Sequence, residues 1–293
     1  MPIRDLALAL LIVAIWGVNF VAIKLGVADV PPLLLTGLRF LFAAVPAVFF
    51  VRPPKAPAIL VAAYGVAIGV VSFGLLFVAI RIGMPAGLSS LVMQMQAVFT
   101  MALAALFLGE RPLKVQILGA LVAGGGIVVI GSGRLAGAEM LPLLMVVGAA
   151  AAWGVANLIT KRAGRIDMLA FVVWSSLAAP LPLFALSWVL EGPTAIVAAL
   201  THPTVAAVGS LAFLSYLATI VGFGLWSALL GRHPAATVAP FSLLVPVFGM
   251  SSTWLFLGEP VSPLEAAGGA LVFAGLMLNV FGPRLLAARR APA

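Results

Sequence analysis

The chain of 293 residues has no cysteine and only two histidines, His202 and His233. A disulfide framework and a thiolate metal centre are therefore excluded. The histidines are 31 residues apart and fall in segments read as loops, which is no metal-ligand spacing. Charge is nearly as scarce, at 8% of residues, 16 basic against 8 acidic. A soluble domain of ordinary composition carries about 25% charged residues to cover its surface. So few charges exclude a soluble enzyme, a disordered chain and a secreted disulfide scaffold. What is abundant is apolar: 64% of residues are hydrophobic and the mean hydropathy is +1.25. These values point to a polytopic membrane protein. The net charge of +8 would suggest nucleic acid in a soluble domain. Here the basic residues are spread between apolar runs, so no nucleic-acid partner is expected and membrane lipid is.

Apolar runs bounded by Pro, Gly or charge lie near 5–25, 32–51, 58–80, 84–108, 112–131, 139–160, 168–190, 204–230, 234–257 and 261–282. About 20 apolar residues cross a bilayer, and lipid leaves no alternative to helices for such runs. The sequence thus predicts an all-α chain of ten transmembrane helices. With a cytoplasmic N-terminus, one side holds Arg4, Arg52, Lys55, Arg111, Lys114, Lys161, Arg162, Arg165, Arg232, Arg284, Arg289 and Arg290. The other side holds only Lys24, Arg81 and Arg134. This bias follows the positive-inside rule and places both termini in the cytoplasm, with the chain in a bacterial plasma (inner) membrane.

The first run could be mistaken for a signal peptide, but it recurs. Trp16-Gly17-Val18-Asn19-Phe20 through Lys24 is matched by Trp153-Gly154-Val155-Ala156-Asn157 through Lys161, at an offset of 137. Ser72-Phe73-Gly74-Leu75 matches Gly222-Phe223-Gly224-Leu225, Pro85-Ala86 matches Pro234-Ala235, and Phe107-Leu108-Gly109-Glu110 matches Phe256-Leu257-Gly258-Glu259, at 149 or 150. The shared blocks include Trp, Lys, Pro and Glu as well as apolar residues. Two halves follow, 1–135 and 136–293, each with five spans. An odd number of spans inverts the second half, the plan of many secondary transporters, with the substrate near the midplane between the halves.

With its Trp-Gly-x-x-Phe…Lys first helix, its Leu-Gly-Glu end to the fourth and its Gly-rich fifth helix, the chain resembles the EamA-type members of the drug/metabolite transporter superfamily. Within them it looks most like bacterial ten-helix amino-acid exporters, those of aromatic amino acids included. The resemblance implies a basket in which helices 1, 3, 4, 6, 8 and 9 surround a cavity and helices 5 and 10 support it from outside. It also implies a small-molecule substrate; no cofactor and no bound metal are expected. Small four-helix multidrug relatives carry a Glu in the first helix; this chain has Asn19 as its polar residue there.

None of the eight acids lies in the interior of a predicted span, since Asp5, Glu139 and Glu265 sit at span ends, and Arg39 is the one charge clearly within one. Proton coupling usually employs an intramembrane acid or His, so transport without obligatory proton coupling is expected. Arg39 reads either as a fork for a substrate carboxylate or as a structural, snorkelling residue. The resemblance favours the second reading, because it puts helix 2 off the cavity. Lys24, on the side poor in basic residues, reads as a gate or a structural pair. Trp16 and Asn19 share a helix face, as do Trp153 and Asn157, which suits a small aromatic or apolar zwitterion; the alternative is that the asparagines bond neighbouring helices. Gln94 shares a face with Ser90, and Gln94 and Gln96 point apart, so one of them at most is expected in a cavity. Tyr216, Thr219, Phe223 and Trp226 form one α-helical stripe, a candidate wall. Pro246, following Pro240, is expected to free backbone carbonyls in mid-helix. Glu110 and Glu259 are expected to cap helices or pair with basic neighbours. Export of another metabolite or a drug is the neighbouring alternative. A membrane-embedded transferase would need an acid–base or metal cluster, which the sequence does not offer.

Overall fold

The computed structural model describes residues 1–133, 140–164 and 166–290, with the backbone alone at 235–236 and 286–290. Arg134, Glu139, Arg165 and the boundary between the halves lie outside the described residues, as do the side chains of Arg289 and Arg290. Among the described residues the secondary structure is helical, with no strand. Ten principal helices follow in order: α1 (Ile3–Asp29), α2 (Pro32–Ala47), α3 (Ala58–Arg81), α4 (Ala86–Leu108), α5 (Lys114–Ser132), α6 (Met140–Ala163), α7 (Met168–Leu190), α8 (Val205–Arg232), α9 (Ala239–Leu257) and α10 (Pro263–Arg290). Nine are long and apolar enough to cross a membrane, and α2 is a shorter apolar helix of 16 residues. It stops before the predicted residue 51: with Pro46 in its last turn, the chain passes into a turn at residues 48–50 and then Pro53-Pro54. A further short helix, Pro193–Thr201, joins α7 to α8, where the sequence reads as a loop.

Two duplicated motifs have a local cause. In Leu-Gly-Glu, Gly109 and Gly258 take φ of +68° and +64° at the ends of α4 and α9. A residue without Cβ ends the helix there at no steric cost. In Trp-Gly, the glycine permits close packing on the opposite half. A Cβ at Gly17 would strike Phe248 of α9, and one at Gly154 would lie 2.8 Å from Phe99 Cβ of α4. Gly17 and Gly154 are repeat mates, as are Phe248 and Phe99, so each leading helix packs on the fourth helix of the other half.

α5 and α10 pack along each other beside this bundle. Gly126 and Gly268 each approach the other's carbonyl oxygen so closely that a Cβ would lie 2.5 and 2.7 Å from it, and Gly119 and Gly275 face each other in the same way. Of Gly124-Gly125-Gly126 only the last makes such a contact; nothing lies within 4 Å of a Cβ at the other two. Gly65 and Gly69 bring α3 onto Ser175 and Ala179 of α7, the close packing that small residues allow in a membrane.

The helices around the centre leave α geometry at equivalent places. π-helical turns run over Val66–Phe73 in α3 and Phe213–Val221 in α8. Tighter 3-10 turns run over Met93–Met95 in α4 and Ala239–Leu244 in α9. Such departures are uncommon and concentrate at functional sites.

Candidate functional site

These irregular turns surround a cavity of about 140 Å³ between the halves, close to the ~150 Å³ of an engineered core cavity that binds benzene. Its wall is formed by Trp16, Asn19 and Phe20 of α1, Arg39 of α2, Phe73 and Leu76 of α3, and Ser90, Met93, Gln94 and Gln96 of α4, together with Trp153 of α6, Ala218 and Phe223 of α8, and Ser242 and Val245 of α9. Helices α1, α3, α4, α6, α8 and α9 enclose the space, as the resemblance implies. α2 joins them through Arg39.

Aromatic rings dominate two sides. Trp16 meets Phe223 with ring centroids 5.3 Å apart, and Trp153 meets Phe73 at 5.4 Å. The Trp16 Nε1 donates to the Ala218 carbonyl at 3.0 Å. The π turn makes that oxygen available: the Gly222 N–H, which an α-helix would aim at Ala218, bonds Leu217 instead. Gly222 also makes room for the indole, since a Cβ there would lie 2.6 Å from Nε1.

The π turn also breaks the predicted stripe on α8. Bonding from i to i+5 widens the turn, so residues in α spacing no longer share a face. Thr219 is buried and Phe223 lines the cavity, but Tyr216 is 44% exposed and turns away. Trp226 packs on Trp16 at 5.1 Å in a separate apolar cluster and does not line the cavity.

On α4 the 3-10 turn alters the same arithmetic. Gln94 and Gln96 both line the cavity, against the expectation of one at most. Gln94 donates its amide to the Ser242 carbonyl at 2.6 Å. Ser242 precedes Pro246 by four residues, and proline has no N–H to return to it. Pro246 therefore frees a carbonyl as expected, but it does so in the first turn of the α segment Val245–Leu257, not in mid-helix. Gln96 accepts from Asn157 Nδ2 at 2.6 Å, and Asn157 also reaches Thr100 Oγ1 at 3.0 Å. Asn157 is thus a bond between α6 and α4 and does not line the cavity, whereas its counterpart Asn19 does. The Asn19 Oδ1 is buried and finds no hydrogen-bond partner among the described residues.

Arg39 is the main correction. It is 3% exposed, and its guanidinium lies 4.1 Å from the centroid of Phe73, within the cavity wall. Nη2 is 3.4 Å from the Thr219 hydroxyl, while Nε and Nη1 are buried with no partner among the described residues. Arg39 is too deep to snorkel. The short α2 packs against α3, α7 and α8, which carries the side chain past the helix row expected to exclude it. Lys24 is partly buried on α1 and does not line this cavity.

The acids tie helix ends. Glu259 accepts from the Ala86 and Gly87 N–H groups at 3.0 Å each, Glu191 accepts from Leu33 and Leu34 at 2.7 and 3.2 Å, and Asp167 caps α7. Glu110, the repeat mate of Glu259, instead takes Lys161 Nζ at 2.9 Å on both oxygens. His233, read as a loop residue, contacts Asp5 at 2.6 Å beside Arg232 at 3.1 Å. No spacing in the sequence could have joined residues 228 positions apart. Ser242 and Val245 are cavity residues the sequence did not mark, because the turn that points them inward depends on how α9 meets α4.

A bundle of apolar helices in two repeated halves around a central cavity defines a membrane transporter. This chain belongs to the EamA-like transporter family, which matches residues 4–132 and again 140–281. It is similar to a "Probable amino-acid metabolite efflux pump" of Salmonella typhimurium (strain LT2), 44% identical over 288 residues and 96% of each chain. A protein of the same description from Escherichia coli (strain K12) is 42% identical over 287 residues, again 96% of each. A solved crystal structure superposes with a TM-score of 0.60 at 21% identity, covering 98% of this chain and 99% of the other, a likeness in fold.

Proposed function

We propose that this chain exports small, net-neutral amino acids or closely related metabolites, aromatic or hydrophobic, across the bacterial plasma membrane. The observation that carries this reading is the cavity wall of paired rings, Trp16 with Phe223 and Trp153 with Phe73. Each pair takes one ring from each half. Apolar walls with a few convergent polar groups suit a small amphipathic ligand. The similarity to the efflux pumps supports export.

Alternating access by two inverted five-helix halves follows from the odd number of helices per repeat. All seven residues of Ala86–Val92 are buried where Glu259 holds the start of α4, while α4 beyond Gln96 is mostly part-exposed. With the basic residues placed in the cytoplasm, the sealed end is the outer one and the cavity faces inward. The cycle runs down the substrate gradient without obligatory proton coupling, in keeping with Arg39 as the one ionisable group among the described cavity residues.

The test is counterflow of labelled amino acids in proteoliposomes with unlabelled competitors. Competition by Phe, Tyr, Trp, Met or Thr is expected; its absence for all five rejects the substrate class. Accumulation against the substrate gradient, driven by a pH gradient alone, rejects the uncoupled cycle.

A further inference from the structure

We infer that the cavity is a carboxylate site in which Arg39 supplies the charged recognition, and that the substrate's amino group is dispensable. The inference rests on the transporter reading and redefines its substrate class by the carboxylate: small apolar monocarboxylates, net-neutral amino acids and equally their net-negative N-acyl, 2-hydroxy and 2-oxo counterparts.

The cavity wall is unbalanced in charge. Arg39 places a permanent cation in the wall with Nε and Nη1 buried and unpartnered among the described residues. A guanidinium binds a carboxylate through parallel N–H donors, and a buried charge is costly until an opposite one meets it. Its remaining donor, Nη2, is only 3.4 Å from Thr219, so the fork is not consumed by the protein. The rings of Phe73, Phe40 and Phe77 lie 4.1, 5.5 and 5.9 Å from the guanidinium, contacts that attract the cation without neutralising it.

Nothing comparable awaits an ammonium group. No described residue of the wall is an acid. The Gln96 Oε1 already accepts from Asn157, and the Gln94 Nε2 and Ser90 hydroxyl donate to the Ser242 and Gly87 carbonyls, which leaves an ammonium only neutral oxygens to meet. Asn19 Oδ1 is a buried wall acceptor with no partner among the described residues. It is a neutral oxygen that an amide N–H or a hydroxyl satisfies as well as an ammonium does. Recognition is therefore strong at the carboxylate end and weakly selective at the nitrogen end. A cationic ligand without a carboxylate meets Arg39 as a like charge and is refused.

The test is isothermal titration calorimetry on the purified full-length protein with L-phenylalanine, N-acetylphenylalanine, 3-phenyllactate, phenylalaninamide and phenethylamine. The three acids are expected to bind within a few-fold of one another, and the amide and the amine at least tenfold more weakly. Arg39→Gln is expected to lower acid affinity by about 10- to 100-fold, the range for a hydrogen bond to a charged group, and to leave the weak binding of the amide unchanged. Arg39→Lys is expected to restore part of the loss. Equal binding of acid and amide, loss of all five ligands alike in Arg39→Gln, or rejection of 3-phenyllactate beside tight L-phenylalanine overturns the inference and leaves the transporter reading standing. Absence of binding by all three acids to the wild type overturns both.

Discussion

Trp16 and Phe223 meet with ring centroids 5.3 Å apart and planes at 51°, and Trp153 and Phe73 repeat that geometry at 5.4 Å and 52°. The four residues are two sets of repeat mates, exchanged between the halves: the indole of each half meets the phenyl ring of the other. Neither half alone can form the wall. The pairs differ in what lies behind them. Trp16 is anchored to a carbonyl released by the π turn, whereas Phe73 carries the Arg39 guanidinium. One aromatic frame thus yields an apolar side and a cationic side.

Removing the Trp16 anchor is expected to cost more than removing its mate. Trp16→Phe leaves the part-buried Ala218 carbonyl without its donor, a penalty of about 1–3 kcal/mol. Trp153→Phe retains a ring against Phe73. Unfolding of the two purified variants, followed by intrinsic fluorescence or circular dichroism, should show the larger loss for Trp16→Phe; equal losses would contradict the anchoring role.

Glu259 and Glu110 occupy matching motifs but should differ in worth. Glu259→Ala strips two charge-assisted bonds from the first turn of α4 and should cost about 0.5–2 kcal/mol, as loss of an N-cap does. Glu110 and Lys161 are 53% and 42% exposed, and such pairs contribute about 0–1 kcal/mol. Thermal denaturation of Glu259→Ala and Glu110→Ala ranks them, and the reverse order would discard the sealing role of Glu259.

The packing of α5 on α10 predicts opposite signs at two glycines. Gly275→Val drives a side chain into the backbone of α5 at Gly119 and Ala123 and should destabilise by about 1–3 kcal/mol or more. Gly124→Ala meets open space and removes a flexible residue from a helix interior, a gain of roughly 0.5–1 kcal/mol. Denaturant titration of both variants reads the difference directly.

Because the chain has no cysteine, single cysteines report access cleanly. Met84 is fully buried at the sealed end, while Gln96 lines the cavity and is part-exposed. A membrane-impermeant thiol reagent applied from the cytoplasmic side should label Gln96→Cys and leave Met84→Cys unmodified, and saturating substrate should slow the labelling. Preferential labelling of Gln96→Cys from the outer side would reverse the assigned orientation of the cavity.

Much was legible in the chain because the physics involved is local. Long apolar runs must be helices in lipid, and Gly109 and Gly258 end theirs because a left-handed residue is needed where the helix stops. The repeat placed Trp16, Trp153, Phe73 and Phe223 in register, and the absence of acids from the interiors of the predicted spans left helix ends for Glu110 and Glu259. The misplacements share a cause. Assigning Tyr216 and Trp226 to the cavity, and separating Gln94 from Gln96, both assumed unbroken α geometry. In the turns of α8 and α9 a carbonyl accepts from a side chain of the other half, Ala218 from Trp16 and Ser242 from Gln94.

Composition and periodicity by themselves determined a helical membrane chain in two related halves with an almost uncharged interior. Tertiary structure alone decided which polar groups face the cavity. Asn19 and Asn157 look alike in sequence, yet packing leaves one acceptor unpaired and consumes the other side chain in a bond between α6 and α4. Arg39, the one charge clearly within a predicted span, reads as a snorkelling residue until the short α2 carries it, still unpaired at two nitrogens, onto the face of Phe73. The direction of a side chain depends on the helices that surround it, and that is not written in the spacing of its own.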